Sequence, residues 1–187
     1  MSDASWSREL DLVRRGGASL APGLSAAEFA AVEERFGFQF PPDLRSLLAA
    51  ALPVGRFPNW RAVDSRELQE TLAWPIESIC FDVEHNDFWW SDWGERPRAV
   101  ANAIERARTQ LATVPFLIPV YGHRYIPAEP LAAGNPVLSV WQTDIIYCGR
   151  DLRSYLANEF AGAKDFPRHN RQVRGIRFWS ELVDVAP

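Results

Sequence analysis

The segment FDVEHNDFWWSDWG, residues 81–94, concentrates side chains that could do chemistry: three tryptophans, one histidine and four carboxylates. Asp82 and Glu84 would share one face of a strand, whose side chains alternate, while Asp87 and Asp92 would lie in turns. Paired carboxylates can hydrolyse glycosides, since one acid donates a proton while the other attacks or activates water. One hypothesis is therefore a hydrolase whose catalytic groups come from this cluster: Asp82, Glu84, His85 and Asp87.

Metal and cofactor motifs are not found in the sequence. The acids lack the spacing of an oxygen-ligand loop for a divalent metal. The three histidines, His85, His123 and His169, are scattered singly, and HExxH is missing. The glycine-rich nucleotide motifs GxGxxG and GxxxxGK[ST] and the hydrolase elbow GxSxG are also missing. The sequence therefore predicts no cofactor and no metal, and it favours a protein that is not an enzyme.

The tryptophans indicate a different role. Trp89, Trp90 and Trp93 lie within five positions, and one strand face cannot bury them all. We expect some rings to brace the core and one or two to remain partly exposed. An exposed tryptophan surrounded by acids is typical of an interface anchor for a basic protein. The candidate contact residues are Asp87, Trp89, Trp90, Asp92 and Trp93, followed by His123, Arg124 and Tyr125; for His123 a structural, hydrogen-bonded role is the alternative.

The charge of the chain is unevenly distributed. The net charge is −4, yet the stretch from Ile76 to Glu95 holds six acids and no Lys or Arg. Nucleic-acid binding needs a basic face, so this balance argues against a nucleic-acid partner. The short basic run RHNRQVRGIR, residues 168–177, is interpreted as a solvated surface.

Composition places the chain among soluble globular proteins. Its 187 residues are enough for one core, and 47% of them are hydrophobic. No apolar run reaches the length of a membrane span, and the opening MSDASWSRELDLVRR is unlike a signal peptide. Cys80 and Cys148 lie far apart in apolar surroundings, which predicts buried free thiols. We therefore predict a cytoplasmic protein without a membrane segment.

The clearest local pattern is the capped helix LSAAEFAAVEERFG. Ser25 can cap its start, Glu28 can bond back to the cap three residues later, and Gly37 suits a left-handed stop. Pro42 suits the first turn of the next helix, which ends by the following proline. Both helices are thus predicted with their boundaries.

The other elements are predicted from periodicity and turn residues. They are, in chain order, a helix before Gly16, a turn and short extended segment over 56–65, a helix over 65–75, a strand over 78–83, a helix over 96–111, two strands around Gly122, a hairpin over 136–149 that turns at Gln142 and Thr143, a helix over 151–160 and a closing helix over 175–183. Helices come first and strands cluster later. That order predicts an α+β fold, with a mainly antiparallel β-sheet flanked by helices and a helical N-terminal part.

At LSAAEFAAVEERFGFQFPPDLRSLL the sequence resembles the opening of the SUKH superfamily, the Smi/Knr-type cell-wall-assembly-regulator domain. The shared features are a capped helix with an acidic pair, a glycine, an alternating apolar piece, a proline and a Leu-rich helix: Leu24-Ser25, Phe29, Val32-Glu33-Glu34, Phe36-Gly37, Phe38, Phe40-Pro41, Asp43-Leu44 and Leu47-Leu48. FLIPVYG, PVLSVWQTDII and DLRSYLANEF follow the family's second half. The resemblance spans about residues 24–160 of one domain, residues 1–187; the segments FWWSDWG and GHRYIPAEPLAAGN depart from it.

The resemblance implies an α+β binding protein to which no catalytic residue is carried over. Bacterial members are often immunity proteins that neutralise a toxin domain, frequently a nuclease, and fungal relatives are regulatory interaction proteins. A toxin nuclease must be cationic to hold its substrate, so an acidic inhibitor would meet it quickly. The first hypothesis is thus an immunity-type inhibitor of a bacterial toxin protein. The alternatives are a cytoplasmic regulator or scaffold of the Smi/Knr type and the hydrolase described above.

Overall fold

Seven α-helices and two antiparallel sheets make up the part of the chain that the computed structural model describes, residues 5–167 and 173–185. The elements are α1 Ser7–Arg15, β1 Ser19–Pro22, α2 Ala26–Phe36, α3 Pro42–Ala50, β2 Ala51–Val54, α4 Arg66–His85, a single 3-10 turn Ser91–Trp93, α5 Val100–Leu111, β3 Leu117–Tyr121, β4 Arg124–Pro127, β5 Val137–Trp141, β6 Asp144–Gly149, α6 Leu152–Ala161 and α7 Trp179–Val185. Strands β3 to β6 pair in chain order, and β1 pairs with β2. The predicted α+β class is confirmed.

Most of the four-stranded sheet is buried on both faces. On β3, Ile118 belongs to a core shared with α1, α2, α3 and α6, whereas its neighbour Leu117 belongs to a second core shared with α4, α5 and α7. On β4, Ile126 and Tyr125 divide between the two cores in the same way. Adjacent side chains of a strand point to opposite faces, so the sheet lies between the cores. This explains why its strands are apolar at almost every position.

Local signals account for α2. The Ser25 amide donates to the Glu28 carboxylate at 2.7 Å, and the Glu28 amide donates to the Ser25 hydroxyl at 3.3 Å, which completes the predicted capping box. Gly37 ends the helix in the left-handed region, with φ of 73°. The Arg61 guanidinium also donates to Glu28 and, with Ser25, lowers the pKa of that carboxyl to about 2. The cap therefore keeps its charge well into the acid range.

The predicted strand over residues 78–83 is wrong, because α4 continues as one helix to His85. Pro75 lies inside it and cannot donate to the carbonyl of Thr71, four residues earlier. The Tyr125 hydroxyl of β4 donates to that carbonyl instead, at 3.0 Å. The chain can therefore stay helical past the proline, and the pair Ile79 and Val83 packs into the second core.

The β1–β2 ribbon was not predicted. Leu20 pairs with Pro53 and Pro22 pairs with Ala51, where the sequence predicted a loop and the end of a helix. Each strand has only four residues, and the prolines mask the strand pattern. The hairpin of β5 and β6, in contrast, turns at Gln142 and Thr143 as predicted, because Trp141 pairs with Asp144.

The C-terminal basic run is only partly described. Residues 168–172, which include His169, lie outside the described residues. Arg174 donates to the carbonyl of Ala133 and to the side chain of Asn135, and Arg177 donates to the carbonyl of Thr113. Both arginines are exposed, and their hydrogen bonds also tie this segment to the β4–β5 loop and to the turn after α5.

Gly149 at the end of β6 touches the first turns of α6, where only a hydrogen atom fits. A Cβ there would lie 2.5 Å from the Tyr155 amide nitrogen and 2.6 Å from its Cα. Backbone atoms cannot move aside without shifting α6, so we expect Gly149→Ala to lower the free energy of unfolding by about 2–3 kcal/mol. Urea unfolding followed by circular dichroism measures this. Gly175→Ala is the control, since a Cβ there meets nothing within 4 Å; equal losses in both variants would contradict the prediction.

Candidate protein-binding surface

The aromatic loop, residues 88–94, packs mainly against the chain itself. The ring of Trp93 stacks on Phe178 with centroids 6.0 Å apart, and the rings of Trp89 and Trp90 meet Trp93 and Phe178 edge to face. The Trp89 indole donates to the Gly94 carbonyl at 2.7 Å. Phe178 precedes α7, so this loop holds the C-terminal segment onto the second core. The sequence predicted that some of these tryptophan rings pack against the core, and Trp93 does so.

The structure corrects two of the candidate contacts. Trp93 is 6% exposed because Phe178 covers it, and Tyr125 is 1% exposed with its hydroxyl bonded to α4. Trp89 and Trp90 are half-buried, whereas Asp92 is exposed.

The remaining candidates lie at separate places. Asp87 is exposed and paired with Arg96 at 2.8 Å. Arg124 points to the face of the sheet opposite Tyr125, where it donates to the Ser139 hydroxyl at 3.2 Å and lies 3.8 Å from Glu159. Arg124 and Tyr125 therefore lie on opposite faces of the sheet and cannot belong to one contact surface.

The acids of residues 81–94 do not converge on a catalytic centre. Asp82 is buried and accepts from the Thr143 amide at 2.8 Å, the Thr143 hydroxyl at 2.6 Å and the Asn86 side chain at 2.6 Å. Glu84 leaves the helix roughly 200° away from Asp82, since each residue turns about 100°. Across residues 5–167 and 173–185, no three His, Cys, Asp or Glu side chains could hold a metal ion together. The hydrolase hypothesis depended on Asp82 and Glu84 facing each other. Asp82 instead binds Thr143 of the β5–β6 turn.

A different aromatic surface is open to solvent beside the β5–β6 turn. Trp141 is 55% exposed, and its ring centroid lies 5.4 Å from Trp74 of α4 and 5.8 Å from His123. Two turns further along α4, Phe81 is 44% exposed, and its ring stacks on that of His85 with centroids 4.2 Å apart. We call these five side chains the aromatic face. They come from α4, the β3–β4 turn and β5.

Two adjoining depressions shape the aromatic face. One, of about 380 Å³, is lined by Glu70, Trp74, His123 and Trp141, among others. The other, a groove of about 510 Å³ along α4, is lined by Trp74, Phe81, Glu77, Glu84, Ile104 and Arg108, among others. Trp74 lines both, so the two depressions adjoin at its ring.

Hydrogen bonds fix this region on rigid elements. The Trp74 indole donates to the Val140 carbonyl at 3.0 Å, and the Val140 amide donates to the His123 carbonyl at 3.0 Å. Two turns further along α4, Asp82 holds Thr143 of the hairpin turn. The helix is therefore bonded to the hairpin at two levels, and the aromatic side chains between them have a fixed relative position.

The rim of the face is acidic. Glu70, Glu77 and Glu84 line the two depressions; Arg66, which donates to Glu70 at 2.6 Å, and Arg108 reduce their combined charge to −1 with neutral histidines. Arg108 donates to both oxygens of Glu77 and lowers the pKa of that carboxyl. His123 is neutral at pH 7, because burial and then the charges of Arg124 and Arg56 lower its pKa.

Both cysteines are buried and unpaired, as predicted. Burial raises the pKa of the Cys80 and Cys148 thiols, the latter to about 11. Thiolate is the reactive form of cysteine, so neither thiol adds reactivity to this surface at neutral pH.

Comparison of the chain with models of protein families, with curated proteins and with solved structures found no match. Among the helices of residues 5–167 and 173–185, none combines the length and apolar character that crossing a membrane requires. The family resemblance thus stays a prediction, and function has to be inferred from the surface itself.

Asp82 joins α4 to the β5–β6 turn, so replacing it should destabilise the fold. We expect Asp82→Asn to lower the free energy of unfolding by about 1–3 kcal/mol, because an amide group can accept at one atom only and leaves a buried donor unpaired. Urea unfolding at pH 7 measures the change. Glu84→Gln, on the exposed side of the same helix, should stay within about 0.5 kcal/mol of the wild type. A stability of Asp82→Asn equal to that of Glu84→Gln would refute the structural role.

His123 should make stability sensitive to acid. Its pKa in the folded protein lies below the ordinary value of 6.5, so the unfolded chain takes up the proton first. The contribution of His123 to the free energy of unfolding does not change with pH above about 6.5, and the free energy of unfolding falls as the pH drops below that value. We expect His123→Asn to lose less stability than the wild type between pH 7.5 and about pH 5 in urea unfolding. The exposed His85→Asn serves as control, and a wild-type-like pH response of His123→Asn would contradict the assignment.

Proposed function

We propose that this protein binds a protein partner through the aromatic face, and that the contacting surface of the partner is basic. The observation that carries the proposal is the exposure of Trp141, 55%, in a concave region that it shares with Trp74 and His123. Tryptophan is the residue type most enriched among side chains that dominate binding energy. Its large apolar ring is unfavourable in water, and burying it in a complex stabilises that complex.

Rigidity and charge support the same conclusion. The bonds from Trp74 to Val140 and from Asp82 to Thr143 hold the face in place before any partner arrives, which reduces the entropy lost on binding. The net charge of −4 attracts a cationic surface and accelerates its encounter, and on the rim Glu84 contributes to this attraction, while Glu70 and Glu77 are paired with Arg66 and Arg108. The partner surface that fits is apolar at its centre and basic around it.

We infer that the partner is a bacterial toxin protein and that binding inhibits it in the cytoplasm. The resemblance to the SUKH superfamily supports this class, since its bacterial members are often immunity proteins. A toxin that acts on nucleic acid carries basic residues where its substrate binds. An acidic protein with a net charge of −4 that covers those residues would exclude the substrate. Its effect needs no catalysis.

The test begins with affinity purification of the tagged protein from its native cells and mass spectrometry of the bound fraction. We expect one stoichiometric basic protein. In titrations with the purified partner, Trp141→Ala should weaken binding by about 2 kcal/mol, roughly thirtyfold in Kd. Phe166→Ala is the matched control, because Phe166 is 49% exposed but lies in the segment after α6 and outside the aromatic face. Its Kd should match that of the wild type.

A growth assay then separates inhibition from regulation. Expression of the partner alone should stop growth, co-expression of the wild type should restore it, and Trp141→Ala should restore it less. Equal affinity of Trp141→Ala and wild type would refute the binding surface. A partner that does not affect growth would refute inhibition and favour the regulator or scaffold.

A further inference from the structure

Two polar atoms on the α6 side of the sheet are buried without a hydrogen-bond partner among the residues that the structure describes. One is the hydroxyl of Tyr155 on α6, a residue that is 0% exposed, and the other is Nε of Arg124 on β4. An unpaired buried polar group is unfavourable, and in native proteins such groups nearly always bond to protein atoms or to an internal water molecule. Both atoms therefore require a partner that the described residues do not supply.

Glu159 relates the two atoms to each other. It lies one helical turn after Tyr155 on α6, so the two side chains are neighbours on the helix surface. Its Oε2 lies 3.8 Å from Nε of Arg124, which is too far for a direct hydrogen bond. Burial raises the pKa of the Tyr155 phenol, the charge of Glu159 raises it further and that of Arg124 lowers it. The Tyr155 hydroxyl is therefore close enough to both charges to interact with them.

Hydrogen bonds hold the two sides of this site in place. On the sheet, Nη1 of Arg124 donates to the hydroxyl of Ser139, the residue that faces it on β5, at 3.2 Å. On the helix, the side chain of Asn158 donates to the Cys148 carbonyl of β6 at 2.9 Å. These bonds maintain the separation of helix and strand at which Arg124 and Glu159 lie 3.8 Å apart.

We propose that Tyr155, Arg124 and Glu159 bind one internal water molecule between α6 and β4. The water accepts from Nε of Arg124, donates to the Glu159 carboxylate and bonds to the Tyr155 hydroxyl, so both buried atoms gain a partner. Internal waters typically make about three hydrogen bonds, which these three groups provide. A polar contact longer than about 3.5 Å is the separation at which a bridging water is expected. This water joins the helix to the strand that begins directly after His123 of the aromatic face.

The charges favour water over an ion. Arg124 and Glu159 carry opposite charges that cancel. Burial raises the pKa of the Tyr155 phenol and of the Cys148 thiol, so both groups are uncharged at pH 7. A bound cation or anion would leave one uncompensated charge beside these buried groups, which is strongly unfavourable. Water is neutral, and it donates and accepts at the same time.

Replacing Tyr155 with phenylalanine distinguishes a bonded hydroxyl from an unpaired one, because the ring is kept and only the oxygen is removed. We expect Tyr155→Phe to raise the unfolding equilibrium constant roughly five- to tenfold, since the bond to the water is lost. An unpaired hydroxyl predicts the opposite sign, because its removal takes an unsatisfied polar group out of the core. Urea unfolding followed by circular dichroism measures the constant and confirms that the variant is folded.

Two matched tyrosine-to-phenylalanine variants calibrate the effect. Tyr125→Phe removes a hydroxyl that donates directly to the Thr71 carbonyl at 3.0 Å, and it should raise the unfolding constant at least as much. Tyr121→Phe removes the hydroxyl of a partly exposed side chain. It should change the constant by no more than about twofold.

A high-resolution crystal structure of the wild type locates the water directly. We expect one water molecule within hydrogen-bond distance of the Tyr155 hydroxyl and of Nε of Arg124. A direct hydrogen bond from Tyr155 to Glu159, with no water between them, would overturn the proposal. A Tyr155→Phe variant that is as stable as the wild type, or more stable, would overturn it as well.

Discussion

The buried carboxylate of Asp82 is the interaction on which the surface of this protein depends. Removing a charge from water is unfavourable unless hydrogen bonds replace the lost hydration. The amide and hydroxyl of Thr143 and the side chain of Asn86 supply them here. Because Thr143 is half of the β5–β6 turn, satisfying the charge also sets where Trp141 lies relative to α4. A local electrostatic requirement thus determines the shape of a concave region.

Aromatic residues do two different jobs in this fold, and exposure distinguishes them. Trp93 lies in a segment crowded with aromatic and acidic residues, yet Phe178 covers its ring. Trp141 stands alone in its strand, yet more than half of its area is open to solvent. Both rings are braced by neighbours, but only the second has area left for a partner. Density of tryptophan along a sequence therefore indicates packing as readily as binding.

The sequence was informative where the determinants are local. The capping box of Ser25 and Glu28, the stop at Gly37 and the turn at Gln142 each depend on residues a few positions apart, and all were predicted. The strand over residues 78–83 was predicted wrongly because Pro75 is compensated by Tyr125, fifty residues away. The aromatic face needed the same kind of distant information. Only the continuity of α4 from Arg66 to His85 places Trp74 and Phe81 on one side of a single helix.

The closure of the second core has a consequence for biosynthesis. Its last members, Ile176, Phe178, Trp179 and Leu182, are translated after every other residue that they touch. The Trp179 indole donates to the Pro115 carbonyl at 2.7 Å, so the segment seals a gap between α5 and β3. Until it leaves the ribosome, Trp93 and the side of β6 that α7 covers stay open on the nascent chain. A chaperone that shields hydrophobic surface during translation would find its binding site there, and it would lose that site when the segment docks.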